Sequence, residues 1–177
     1  MVMFTAGEPE VGKTTALGNI DTISGVRDKA KIIYDTDMST YGSAKQKIDQ
    51  ALQTGHQVSI IYVNRDSIDS LVNGTLPKAI KTGRTVPITE HLIPHVGSLA
   101  TTKQLSTTYK DNPNVVIRVI DNTHGRGSAR EAGIDSLNNI SYSKAELQTK
   151  LQSALEDAKN NGKISEATYQ GTKGNKE

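Results

Sequence analysis

Gly7-Glu8-Pro9-Glu10-Val11-Gly12-Lys13-Thr14 fits the phosphate-binding pattern G-x-x-x-x-G-K-[ST] from its first residue to its last. It follows the apolar run Val2-Met3-Phe4 and opens a stretch, Lys13 to about Ile20, that reads as a short helix. The pattern has a mechanical reason. Glycines let the backbone curl so that successive N–H groups face an anion, and the following helix adds its positive end. Lys13 is then expected to reach the β- and γ-phosphates and Thr14 to hold Mg²⁺ through its hydroxyl, with Gly7, Gly12 and Thr15 completing the cradle. The implied ligand is ATP or GTP with its metal. Glu10 stands where such loops most often carry a small residue. Turned into the cradle, its carboxylate would repel a polyphosphate by several kcal/mol at an effective dielectric of about 20; turned to solvent, it would matter little.

Outward from this loop, strands and helices alternate. Lys31–Tyr34 reads as the second strand and delivers Asp35, Thr36 and Asp37 to its carboxyl end, the edge at which open α/β sheets bind ligands. A helix over Ser43–Gln53 presents Ala44, Ile48, Ala51 and Leu52 and stops at Gly55. Val58–Val63 is a continuous apolar run, the mark of a strand buried on both faces. After Asn64-Arg65-Asp66 comes a weakly helical stretch broken by Gly74 and Pro77, ending in Lys78, Lys81 and Arg84 around Gly83. It reads as a cationic lid over phosphates or as a solvated basic loop. Pro87 introduces a helix to about Tyr109, with Leu92, Ile93, Val96, Leu99 and Ala100 expected on its inner face, and Val115–Ile120 is a fourth strand ending in Asp121-Asn122. The expected fold is α/β, a P-loop NTPase-type three-layer sandwich with a small, mostly parallel sheet and a C-terminal helix.

Residues 1–122 form the expected core, and 123–160 a loop followed by an amphipathic helix. Ser143 with Glu146 makes a capping box for that helix, whose apolar stripe is expected to pack on the sheet, the alternative being a dock for another protein. Residues 161–177 read as a short turn, helical over Ile164–Gln170, and a flexible tail from Gly171. The interval Asp21–Ala30 reads as a polar loop. With no cysteine among 177 residues, thiol nucleophiles, disulfides and Cys-ligated metals are excluded, which suits a cytoplasmic setting. A formal charge of +2, with cations scattered among acids, gives no nucleic-acid surface, and no apolar run is long enough to cross a membrane. His91 and His95 have metal-ligand spacing on a helix but lack an accompanying acid, and Pro94 lies between them. Asp35 and Asp37 are better placed: a phosphotransferase needs one carboxylate for Mg²⁺ or its waters and one to accept the proton of the attacking hydroxyl.

The order of these motifs resembles the zeta toxin family of P-loop kinases. The likeness rests on Gly7–Thr15, Lys31–Thr36 with the helix to Gly55, Val58–Asp66, Thr82-Gly83-Arg84-Thr85-Val86-Pro87 with Glu90-His91, and Asn114–Asn122. Zeta-like segments also occur in large proteins of phages and conjugative elements. The resemblance implies transfer of the γ-phosphoryl group of ATP or GTP to a sugar hydroxyl, with UDP-N-acetylglucosamine the acceptor of the best-known members, and an antitoxin protein as partner. It aligns Arg84 with the lid arginine that stabilises the transferring group and Thr36 with a substrate-side polar residue. The family's strand that carries its catalytic Asp has no counterpart between the first helix and Lys31, so the base would be Asp28, Asp35 or Asp37. The alternative is a degenerate kinase, a nucleotide- or partner-binding module of a larger mobile-element protein.

Overall fold

The computed structural model describes residues 1–7, 25, 27–125 and 127–174. Five strands, β1 (Val2–Ala6), β2 (Ile32–Asp35), β3 (Val58–Asn64), β4 (Val115–Asp121) and β5 (Arg130–Ala132), form one sheet in the order β2-β1-β3-β4-β5. β1 pairs in parallel with β2 and with β3, β3 in parallel with β4, and β5 lies antiparallel to β4 at the edge. The helices with both ends among the described residues include α1 (Tyr41–Gln53), α2 (Ser67–Ser70), α3 (Leu76–Thr82), α4 (Ile88–Thr108), α5 (Lys144–Asn160) and α6 (Glu166–Lys173). The chain is therefore α/β with a mostly parallel sheet flanked by helices. Among the described residues no helix is long and apolar enough to cross a membrane.

Both central strands are apolar on both faces, and every residue of β1 and β3 is buried. On one face Val2, Phe4, Ile60, Tyr62 and Val119 meet Ala44, Ile48 and Ala51 of α1 and Leu99 and Leu105 of α4. Met3, Ile61, Val63 and Ile120 line the other face with Ala30 and Ala129. A second core lies away from the sheet, where Leu147, Leu151, Leu155 and Ala158 of α5 pack against Leu71, Leu76, Ile88 and Leu92.

That second core corrects the expectation that the C-terminal helix covers the sheet. Its stripe is satisfied by the helical segment between β3 and β4, because residues 67–82 are helical throughout and not a broken lid. Pro77 has no N–H for the carbonyl four residues back. The chain widens instead into a π turn over Leu71–Thr75, with the Leu76 N–H reaching the Leu71 carbonyl, and the helical path continues into α3. Gly83 ends it in the left-handed region at φ 71°. The short helical turn expected after Gly162 is present as α6, capped by Ser165, and it runs on to Lys173, into the stretch expected to be a flexible tail; Ile164, Tyr169 and Thr172 are buried. Residues 27–29, expected in a polar loop, are helical, and β5 occupies part of the loop expected after Asn122. On α4 Leu92, Val96 and Leu99 face the cores as expected, but two of the expected residues do not. Ile93 is exposed, as is Ala100, whereas His91 and His95 are buried.

Candidate functional site

The strand order reverses at β1. The chain passes from β1 to β2 on one side and then crosses to β3 on the other. Neighbouring connections that diverge in this way leave a crevice at the carboxyl ends of the strands, the place where open α/β sheets take ligands. Gly7 stands at that end of β1 with φ 131°, a conformation that only glycine adopts without strain. Gly7, the first residue of the motif, thus stands at the switch point. Gly12, Lys13, Thr14 and Thr15, with Glu10 between the glycines, lie outside the described residues.

Asp35, Thr36 and Asp37 are brought to the same edge. Thr5 of β1 is level with Asp35 of β2, and its hydroxyl donates to Asp35 Oδ1 at 2.8 Å. The Gly7 N–H lies 3.4 Å from the Asp37 carbonyl, so the segment after β2 folds across the end of β1. Two local turns hold it, with Met38 N–H donating to Thr36 Oγ1 and Ser39 N–H to Asp37 Oδ1. Between these turns Met38 takes a left-handed φ of 50° and sinks its side chain into the core beside Phe4 and α1. Helix α4 closes over the segment at Gly97, where an added Cβ would stand 2.7 Å from the Ser39 carbonyl oxygen. A small cavity of about 80 Å³ opens beside it, lined by Thr36, Asp37, Ser43 and Lys47 among others.

The carboxyl ends of β3 and β4 extend the edge with residues that strand reading alone left without roles. Asn64 and Asp121 are level, Asn122 N–H donates to the Asn64 carbonyl at 2.8 Å, and Tyr142 Oη donates to Asn64 Oδ1 at 2.7 Å. The Tyr142 ring in turn rests on buried His95, with ring centres 4.3 Å apart. This places His95 in a packed polar network. Among the described residues no group of three or more His, Asp and Glu side chains is gathered to hold a metal. A divalent ion at Asp35 would depend on phosphate oxygens and water for its remaining ligands, as Mg²⁺ commonly does.

Arg65 is engaged by Asp69, its Nε donating to the carboxylate at 2.8 Å, and Asp66 caps α2. Partial burial by itself would raise the Asp121 pKa. The Thr123 hydroxyl and N–H, with His124 and Arg130 nearby, outweigh burial and hold that carboxyl below its ordinary value. Arg84 is exposed on the loop after α3, together with Lys78 and Lys81 on α3 itself. The neighbouring Thr85 packs against Gly171 of α6, where an added Cβ would collide with its hydroxyl. The structure thus gathers Gly7, Asp35, Thr36 and Asp37, and carries Arg84 on a loop braced by the C-terminal helix. No protein-family model and no curated protein matches the chain.

Proposed function

We propose that the chain is a small Mg²⁺-dependent P-loop phosphotransferase, similar to the zeta toxin kinases. It would move the γ-phosphoryl group of ATP or GTP to a hydroxyl of a small substrate, with a nucleotide-sugar such as UDP-N-acetylglucosamine the first candidate. The observation that carries this reading is the position of Gly7, the first residue of the G-x-x-x-x-G-K-T motif, at the end of β1 where the strand order reverses, with Asp35 at the end of the adjacent parallel strand. The residues present suit the group. Gly7 supplies the turn, Lys13 a cation for the phosphates, and Thr14 and Asp35 the hard oxygen donors that Mg²⁺ prefers.

Bound Mg-nucleotide supplies the phosphoryl group and neutralises charge around it. Asp37 is the general base of this reading: as the acceptor oxygen forms its bond to phosphorus and the bond to the nucleoside diphosphate breaks, the hydroxyl proton passes to Asp37. Its Oδ1 is oriented by the Ser39 N–H, which fixes the carboxylate at the sheet edge. Thr36 beside it would contact the acceptor, and Arg84 would stabilise charge on the transferring group. An antitoxin that blocks the site would be the partner expected by resemblance. Glu10 favours a second reading, a nucleotide- or partner-binding module without turnover.

The direct test is transfer of label from γ-labelled ATP or GTP to a panel of UDP-sugars. The natural chain should yield a phosphorylated sugar nucleotide, and Lys13→Ala should lower the rate on the order of 100-fold. Transfer unchanged in Lys13→Ala and in Arg84→Ala would refute the reading, and nucleotide binding with no product would favour the module.

A further inference from the structure

Strand β2 forms one border of the sheet, and its outer edge pairs with no strand among the described residues. Three consecutive large apolar side chains on it, Ile32, Ile33 and Tyr34, are 44%, 44% and 41% exposed. An apolar strand edge is a ready template for another strand, and proteins usually blunt such edges with proline, a bulge or a charge in mid-strand. Here the register with β1 is unbroken, and the charges Lys31 and Asp35 stand only at the two ends of the run.

We propose that this edge pairs antiparallel with the same strand of a second copy, joining two five-stranded sheets into one across a two-fold axis at Ile33. Lys31-Ile32-Ile33-Tyr34-Asp35 is self-complementary in that register. Ile33 stands opposite Ile33, Ile32 opposite Tyr34, and Lys31 opposite Asp35, the last two pairings each occurring twice. Directly opposed residues of antiparallel strands share a face, so the charge pairs flank the isoleucine pair on one face while the Ile32–Tyr34 pairs fill the other. A slip of one residue sets Lys31 against Tyr34 and leaves Asp35 without its cation, so the charges select the register as well as the partner. Two-fold pairing also closes the assembly, since each copy uses its one β2 edge. The second copy's Lys31 then lies beside Asp35, adding a cation at the carboxyl end of β2. This inference stands whether or not the chain is a kinase.

Sedimentation velocity of the full chain over about a hundredfold range of concentration tests it, because a dimer's population depends on protomer concentration. The natural chain should move from the mass of one chain to twice that mass. Ile33→Lys, which sets two cations against each other on the axis, should stay at the mass of one chain. Lys31→Asp should weaken the dimer at least about tenfold in Kd, and Lys31→Asp with Asp35→Lys should restore it. Far-UV circular dichroism and a cooperative melt establish that each variant is folded, and the charge-swap series stands by itself if Ile33→Lys does not fold. A natural chain that stays monomeric throughout, or a dimer indifferent to Lys31→Asp, overturns the proposal.

Discussion

Asp35 accepts a hydrogen bond from the hydroxyl of buried Thr5, its register partner in the β1–β2 ladder. The acids at Asp35 and Asp37 were legible in the sequence because an apolar run that ends in carboxylates marks the binding edge of a parallel sheet. Thr5 was not, since a threonine inside a strand reads simply as a good strand former. Tyr142 and Asn64 are 78 residues apart in the chain, and no local pattern announces their hydrogen bond. Asp121 gives the residue-scale prediction. Its folded pKa is depressed, so its contribution is present above the pKa of the unfolded chain and fades as pH falls through the folded value. Asp121→Asn should therefore cost about 1 kcal/mol at neutral pH and progressively less below the ordinary carboxylate range. Chemical denaturation at several pH values would show it; a loss that stays constant down to acid pH would contradict it.

At the scale of elements, periodicity predicted well wherever one face meets one partner. Helix α1 buries Ala44, Ile48 and Ala51 at the predicted spacing, and α5 begins at its capping serine. Periodicity failed where two surfaces compete for a helix. Helix α4 touches the sheet core through Leu99 and Leu105 and the second core through Ile88 and Leu92, so its buried face wraps around the helix and takes in His91, His95, Ser98 and Thr102. Gly74 and Pro77 read as breakers because an α-helix cannot hold both cheaply, yet a π turn absorbs the missing donor. The partner of α5 was beyond local reading, since its stripe would fit a sheet or a helix bundle equally. Leu151 is fully buried in that second core. Leu151→Ala should cost about 2–5 kcal/mol, lowering the denaturation midpoint while leaving the cooperativity of a single transition. An effect below about 0.5 kcal/mol would mean that the helical layer is not packed as described.

At the scale of the molecule, the alternation of strands and helices made the parallel sheet predictable, but not the strand order. Placing β1 between β2 and β3 depends on which way each crossover travels, and that choice is made by packing of whole layers. The consequence for function is large, because this order sets Gly7 at the reversal and puts Asp35 and Asp37 beside it. Had β1 been an edge strand, Gly7 would not stand at a reversal of strand order. The central claim is that this edge binds a nucleoside triphosphate, and the measurement that tests it most directly is thermal unfolding with and without Mg-ATP and Mg-GTP, for the natural chain and for Lys13→Ala. At a hundred times its Kd a ligand adds about 2.7 kcal/mol, which for a domain of this length is a rise of about 5–10 °C in Tm. The account predicts that rise with at least one nucleotide in the natural chain and its loss in Lys13→Ala; no rise with either nucleotide, or an equal rise in both proteins, would contradict it.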